Sequence, residues 1–142
     1  MSGLDVTVNA ELAEIDPTPL HRAAQHVLIE EARTEGELSV TLLADDDIRA
    51  INRDYLERDY VTDVIAFSLG DDESLMGDVY IGYEQARRQA AELGVDAGEE
   101  LVRLVVHGVL HVLGYDHPEG EDRVASPMYE RQESLVRTIL QG

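Results

Sequence analysis

The sequence predicts an α/β (α+β) fold: one domain over residues 1–142, with a mixed sheet of about four strands and about five helices, one of them histidine-bearing and followed by a turn. Three observations lead there. Short β-branched runs interleave with longer segments whose apolar residues recur at helical spacing. A length of 142 residues fits one domain with a real core. The most apolar helical segment runs into a glycine followed closely by a third histidine, "HGVLHVLGYDH".

In chain order, "LDVTVNA" alternates and reads as a strand. "DPTPLHRAAQHVLIEEARTEG" opens on prolines and reads as an amphipathic helix closed by Gly36. "ELSVTLLAD" is a second strand. "DDDIRAINRDYLER" starts on acidic residues, as the positive end of a helix dipole favours, and carries Ile48, Ile51 and Leu56. "VTDVIAFSL" is a third strand, "GDDESLMG" a loop and "DVYIGY" a short fourth strand. "EQARRQAAELG" and "GEELVRLVVHGVLHVLG" are helices ending on glycine, and "PMYERQESLVRTIL" is a closing helix. No repeat, linker or low-complexity tract interrupts them.

Composition narrows the function classes. Apolar residues make up 44% of the chain, which argues against disorder. No run approaches the roughly 18 apolar residues of a membrane span, and the first residues carry neither a basic leader nor an apolar core, so a soluble cytoplasmic protein without a membrane partner is expected. There is no cysteine, so any zinc site must use His, Asp or Glu. Thirty acidic residues against eleven basic ones give a net charge of −19, and every basic residue is arginine. Such a surface is strongly hydrated and suits a salty cytoplasm. Phosphate neutralisation needs Lys or Arg, so contact with RNA must come from a local arginine cluster, a metal or protein partners.

The histidines carry the chemistry. His107 and His111 are four residues apart, hence on one helix face with β-carbons about 6 Å apart. Had the helix continued, His117 would stand about 15 Å along the axis from His107. Gly114 supplies the stop, because glycine takes the left-handed conformation that ends helices. The three imidazoles can then share one Zn2+ and leave a coordination position for water. Metzincin proteases use the same spacing with a glutamate general base after the first histidine; here that position is Gly108, which cannot move a proton.

With those residues in view, "HGVLHVLGYDH" resembles the signature of the bacterial YbeY family of metal-dependent endoribonucleases. "INRDYLERDYVTDVIAFS" is similar to a second family segment through Asn52, Tyr55, Thr62, Asp63, Val64 and Phe67. "MGDVYIG" matches through Gly77 and Asp78, and "MYERQESLV" through Met128, Gln132 and Glu133. The resemblance implies zinc on His107, His111 and His117, in a cleft beside the sheet. It also implies single-strand RNA cleavage in ribosomal RNA maturation, at the 3′ end of the small-subunit RNA, and a role in ribosome quality control. The implied partners are ribosomal RNA and the small subunit or its proteins.

One departure matters. The family arginine after the tyrosine, to which the resemblance assigns an RNA phosphate, is Leu56 here. Arg53 and Arg58 are the nearest guanidinium groups in sequence, and Arg53 shares a helix face with position 56 more nearly. Each is equally readable as a solvated helix charge. Asp116 could accept the distal N–H of a zinc-bound histidine or simply form the turn. His111, Arg53 and Asp116 are therefore the candidate catalytic residues. Asp63 and Asp78 read as turn or cap residues, Met128 as core, and His21 and His26, five apart, as ordinary helix residues. The leading expectation is a zinc-dependent endoribonuclease. The rivals are a non-catalytic, metal-binding ribosome-assembly factor, which Leu56 favours, and a metallopeptidase, which Gly108 disfavours.

Overall fold

The computed structural model describes residues 3–70, 74–115 and 126–141. In chain order the elements are β1 (Gly3–Asn9), a 3-10 turn (Glu11–Ala13), α1 (Thr18–Glu30), β2 (Glu35–Leu43), α2 (Asp45–Leu56), β3 (Val64–Ser68), β4 (Leu75–Gly82), α3 (Tyr83–Leu93), α4 (Ala97–Val112) and α5 (Pro127–Gln141). The strands form a mixed sheet in the order β1-β2-β4-β3. β1, β2 and β4 run parallel, and β3 pairs antiparallel with β4 through Val64↔Ile81 and Phe67↔Asp78. The expected α/β architecture is therefore present.

Several boundaries differ from the sequence expectation, among them the end of α1 and the starts of β3, at Val64, and β4. α1 does not run to Gly36; it stops at Glu30, and Ala32 adopts the left-handed conformation at φ 58° while Arg33 N–H reaches back to the Leu28 carbonyl at 2.8 Å. Gly36 lies inside β2 at φ 137°, where a Cβ would run into the backbone of Leu75 on β4. β4 begins at Leu75, three residues earlier than alternation suggests, because Met76 and Gly77 pair with Glu37 and Leu38 of β2.

α4 is the central helix. It packs on β3 and β4 and against α1, α3 and α5. Its Leu101, Val102, Leu104, Val105, Val106, Val109, Leu110 and Val112 are all buried, each contributing about 1.5–3 kcal/mol of hydrophobic burial. Helix and sheet approach closely because two glycines leave room. A Cβ on Gly108 would lie 2.5 Å from Cγ1 of Val79, and one on Gly77 would overlap Val112. Leu38, Val40 and Leu42 of β2 and Val79 and Ile81 of β4 complete the core. Residues of opposite parity on the same strands face the other side of the sheet. There Ser39 donates to Asp78 at 2.6 Å, and Phe67 lies edge-on between Tyr55 and Tyr80. Among the described residues no helix is long and apolar enough to cross a membrane.

Candidate metal centre

α4 ends in a left-handed glycine, as expected from the sequence. Gly114 takes φ 102°, its N–H bonds the His111 carbonyl at 3.0 Å, and Tyr115 N–H returns to Leu110. One turn before that stop, Nε2 of His107 and Nε2 of His111 stand 3.1 Å apart, with ring planes at 73°. Two imidazole nitrogens on one tetrahedral zinc at about 2.0–2.1 Å would be about 3.3–3.4 Å apart. The pair is thus within a few tenths of an ångström of the spacing one ion imposes.

The other nitrogen of His107 is held. Nδ1 lies 2.6 Å from Oε1 of Gln132 on α5. The Gln132 amide nitrogen donates to Glu133 Oε2 at 3.0 Å, which turns the carbonyl oxygen toward the ring. Nδ1 therefore carries the proton, and Nε2 presents its lone pair toward His111. An oriented tautomer of this kind is what a metal-ligating histidine requires.

Behind Gln132 the polar chain continues. Arg103 donates from Nε to Glu133 at 3.0 Å, from Nη1 to Glu100 at 3.1 Å, and from Nη2 to Glu99 at 3.3 Å. Glu100, 3% exposed, also accepts from Gln89 of α3 at 2.9 Å. Burial alone would push the Glu133 carboxyl up, but hydrogen bonds from Arg103 and Gln132 and the Arg103 charge outweigh it and hold it below its ordinary value. Burial likewise opposes the Arg103 charge, and its carboxylate partners reverse that effect. Helices α3, α4 and α5 are thus tied together beneath the histidines.

Asp63, Glu100, Arg103, Leu104, His107 and Gln132 line a cleft of about 130 Å³ at this point. Asp63 reaches it from the start of β3. Buried Asn52 of α2 donates to the Tyr60 carbonyl at 3.0 Å and so ties down the α2–β3 connection. The Asp63 carbonyl accepts from Gly82 N–H at 2.8 Å. Gly82 permits this, since a Cβ there would sit 2.6 Å from the Thr62 carbonyl oxygen.

The remaining expected site residues are distributed as follows. His117 and Asp116 lie outside the described residues. Among the described residues no three His, Cys, Asp or Glu side chains gather around one point; His107 and His111 form a pair. Arg53 is half exposed on α2 and bonds Asp54 at 3.0 Å. Leu56 closes the same helix, 43% exposed. Met128 is buried in the core at 1% exposure. Asp78 is engaged by Ser39 on the far face of the sheet. His21 bonds the Val6 carbonyl at 2.9 Å. The family resemblance had marked Gln132 and Asp63 as matching positions, and the fold shows what each adjoins: Gln132 bonds His107, and Asp63 lines the cleft. Neither could be placed from local spacing, because each reaches the cleft from another element.

A family model described as "Endoribonuclease YbeY" matches residues 5–140. The chain belongs to the YbeY family. Proteins named "Endoribonuclease YbeY" include one from Syntrophotalea carbinolica, 40% identical over 126 residues that cover 84% of each chain. Another, from Carboxydothermus hydrogenoformans, is 37% identical over 140 residues, covering 95% of this chain and 96% of that one. The solution structure of a Thermotoga maritima protein shares the fold seen here. It superposes with a TM-score of 0.67 at 24% identity, covering 97% of this chain and 89% of the other.

Proposed function

We propose that this chain is a metal-dependent endoribonuclease that cleaves single-stranded RNA during ribosomal RNA maturation. The observation that carries the metal reading is the convergence of His107 Nε2 and His111 Nε2 to 3.1 Å, with His107 Nδ1 held by Gln132. In this reading zinc is held by His107, His111 and His117, and water completes the set. A nitrogen-only donor set with an oriented tautomer suits zinc. When bound, the ion would act as a Lewis acid toward a phosphate oxygen and would activate water.

The chain's own residues do the remaining work. Gln132 keeps the His107 lone pair aimed at the ion. Arg103 and Glu133 keep Gln132 from turning over. Arg103 is itself neutralised by its carboxylate partners, so it is a strut rather than a phosphate anchor. Position 108, where a metzincin keeps its glutamate, faces Val79 and Val64 of the sheet, which leaves peptide hydrolysis without its base. The substrate is ribosomal RNA precursor, and small-subunit proteins supply part of the recognition that a −19 chain cannot obtain from phosphates alone.

A non-catalytic assembly factor is the second reading, and Leu56 in place of the family arginine favours it. The deciding experiment incubates the metal-loaded chain and His111→Ala with single-stranded ribosomal RNA and maps the product ends. Cleavage by wild type that His111→Ala abolishes supports the nuclease. Bound metal without cleavage supports the assembly factor.

A further inference from the structure

We propose that Asp63 is a catalytic carboxylate of this cleft, holding the attacking water and taking its proton as RNA is hydrolysed. The inference rests on the endoribonuclease reading and supplies the base that the histidines do not provide.

The other lining groups are committed. Glu100 has one oxygen on Arg103 and the other on Gln89. Arg103 is spread over Glu99, Glu100 and Glu133. Gln132 accepts from His107 and donates to Glu133. Leu104 has no polar side-chain atom. Among the described residues nothing bonds or ion-pairs with the Asp63 carboxylate, although its backbone is fixed by Gly82 N–H at 2.8 Å. The cleft's 130 Å³ is large enough to admit water. Asp63 lines the same cleft as His107 on a backbone fixed by Gly82, and its carboxylate has no partner among the described residues, which leaves it available as a general base.

The step balances as follows. The water oxygen bonds to phosphorus while its proton passes to the Asp63 carboxylate. The phosphorus–oxygen bond to the leaving ribose breaks, and the protonated Asp63 returns a proton to that ribose oxygen. One water is consumed, giving a phosphate monoester and a hydroxyl end, and Asp63 regains its charge.

The test compares metal-loaded wild type, Asp63→Asn, Asp63→Ala and His111→Ala on single-stranded RNA. Bound metal is measured by atomic absorption, and the ligand field by the visible spectrum of the cobalt-substituted proteins. Asp63→Asn should lose about 100- to 10,000-fold in kcat with KM within about 3-fold of wild type. Its metal content and cobalt spectrum should match wild type, and added formate should restore part of the activity of Asp63→Ala. A kcat within about 3-fold of wild type, below the usual worth of a general base, overturns the assignment. So does a loss that tracks lost metal. A wild-type chain that cleaves no RNA overturns the endoribonuclease reading itself, and the base with it, whereas cleavage that survives Asp63→Asn removes only Asp63.

Discussion

Oε1 of Gln132 accepts a hydrogen bond from Nδ1 of His107 across 2.6 Å, joining the last helix to the helix that carries His107 and His111. Replacing Gln132 by Met removes the acceptor while keeping the bulk. Partners of this kind are worth about 10- to 100-fold in metal affinity, and a loss of that size is the expected outcome in a competitive chelator titration. Gln132→Glu keeps an acceptor and should lose less. Equal affinities for all three proteins would mean that the contact does not orient the ring.

Gly108 faces Val79 at 2.5 Å from a would-be Cβ, with Val64 close behind. Overpacking of this kind costs about 1–3 kcal/mol. Gly108→Ala should lower the urea midpoint accordingly, and Gly108→Glu should unfold the chain rather than create a peptidase. Casein hydrolysis by a folded Gly108→Glu protein would contradict this packing argument.

Glu133 is held below its ordinary value of 4.5: burial alone raises it, and Arg103 and Gln132 more than reverse that. The unfolded chain therefore takes up this proton at a higher pH than the folded one. The resulting stability is fully present above about pH 4.5 and is lost as the pH falls through the lower folded value. Urea midpoints measured from pH 7 down to pH 3 should show wild type ahead of Glu133→Gln at the upper end, with the gap closing in acid. A gap that stays constant would assign the stability to something other than this charge.

Leu56 ends α2, 43% exposed. A substitution at so open a site should change stability by no more than about 0.5 kcal/mol. Leu56→Arg should raise RNA cleavage through a lower KM, and added salt should erase the gain, as phosphate contacts require. An unchanged KM at low salt would show that no phosphate passes that point.

Much of this architecture was legible because its signals are local. Alternating and β-branched runs marked the strands, apolar spacing with an acidic first turn marked α2, and a strongly apolar run closed by glycine marked α4. Gly114 was readable as a helix stop because the left-handed conformation strongly favours glycine, and it does take φ 102°. Gly36 misled for the same reason. Its positive φ serves a close approach to Leu75 on a neighbouring strand, a contact between residues far apart in the chain, while Ala32 adopted the left-handed conformation beyond the helix end without being glycine. The His107–His111 pair followed from helical geometry alone. Asp63 and Gln132 were marked only as matching positions of the resemblance; that they adjoin His107 depends on where β3 and α5 dock, which local spacing does not record. Arg53, singled out by its spacing from Leu56, is paired with its neighbour Asp54.

α4 packs against three helices and two strands, so the helix bearing His107 and His111 is joined to most of the core. An ion seated there would act as a rivet for the whole molecule. Binding only the native form, it would raise the melting temperature by mass action. Chelation should therefore quicken amide exchange in α1, on a helix that supplies none of the ligands.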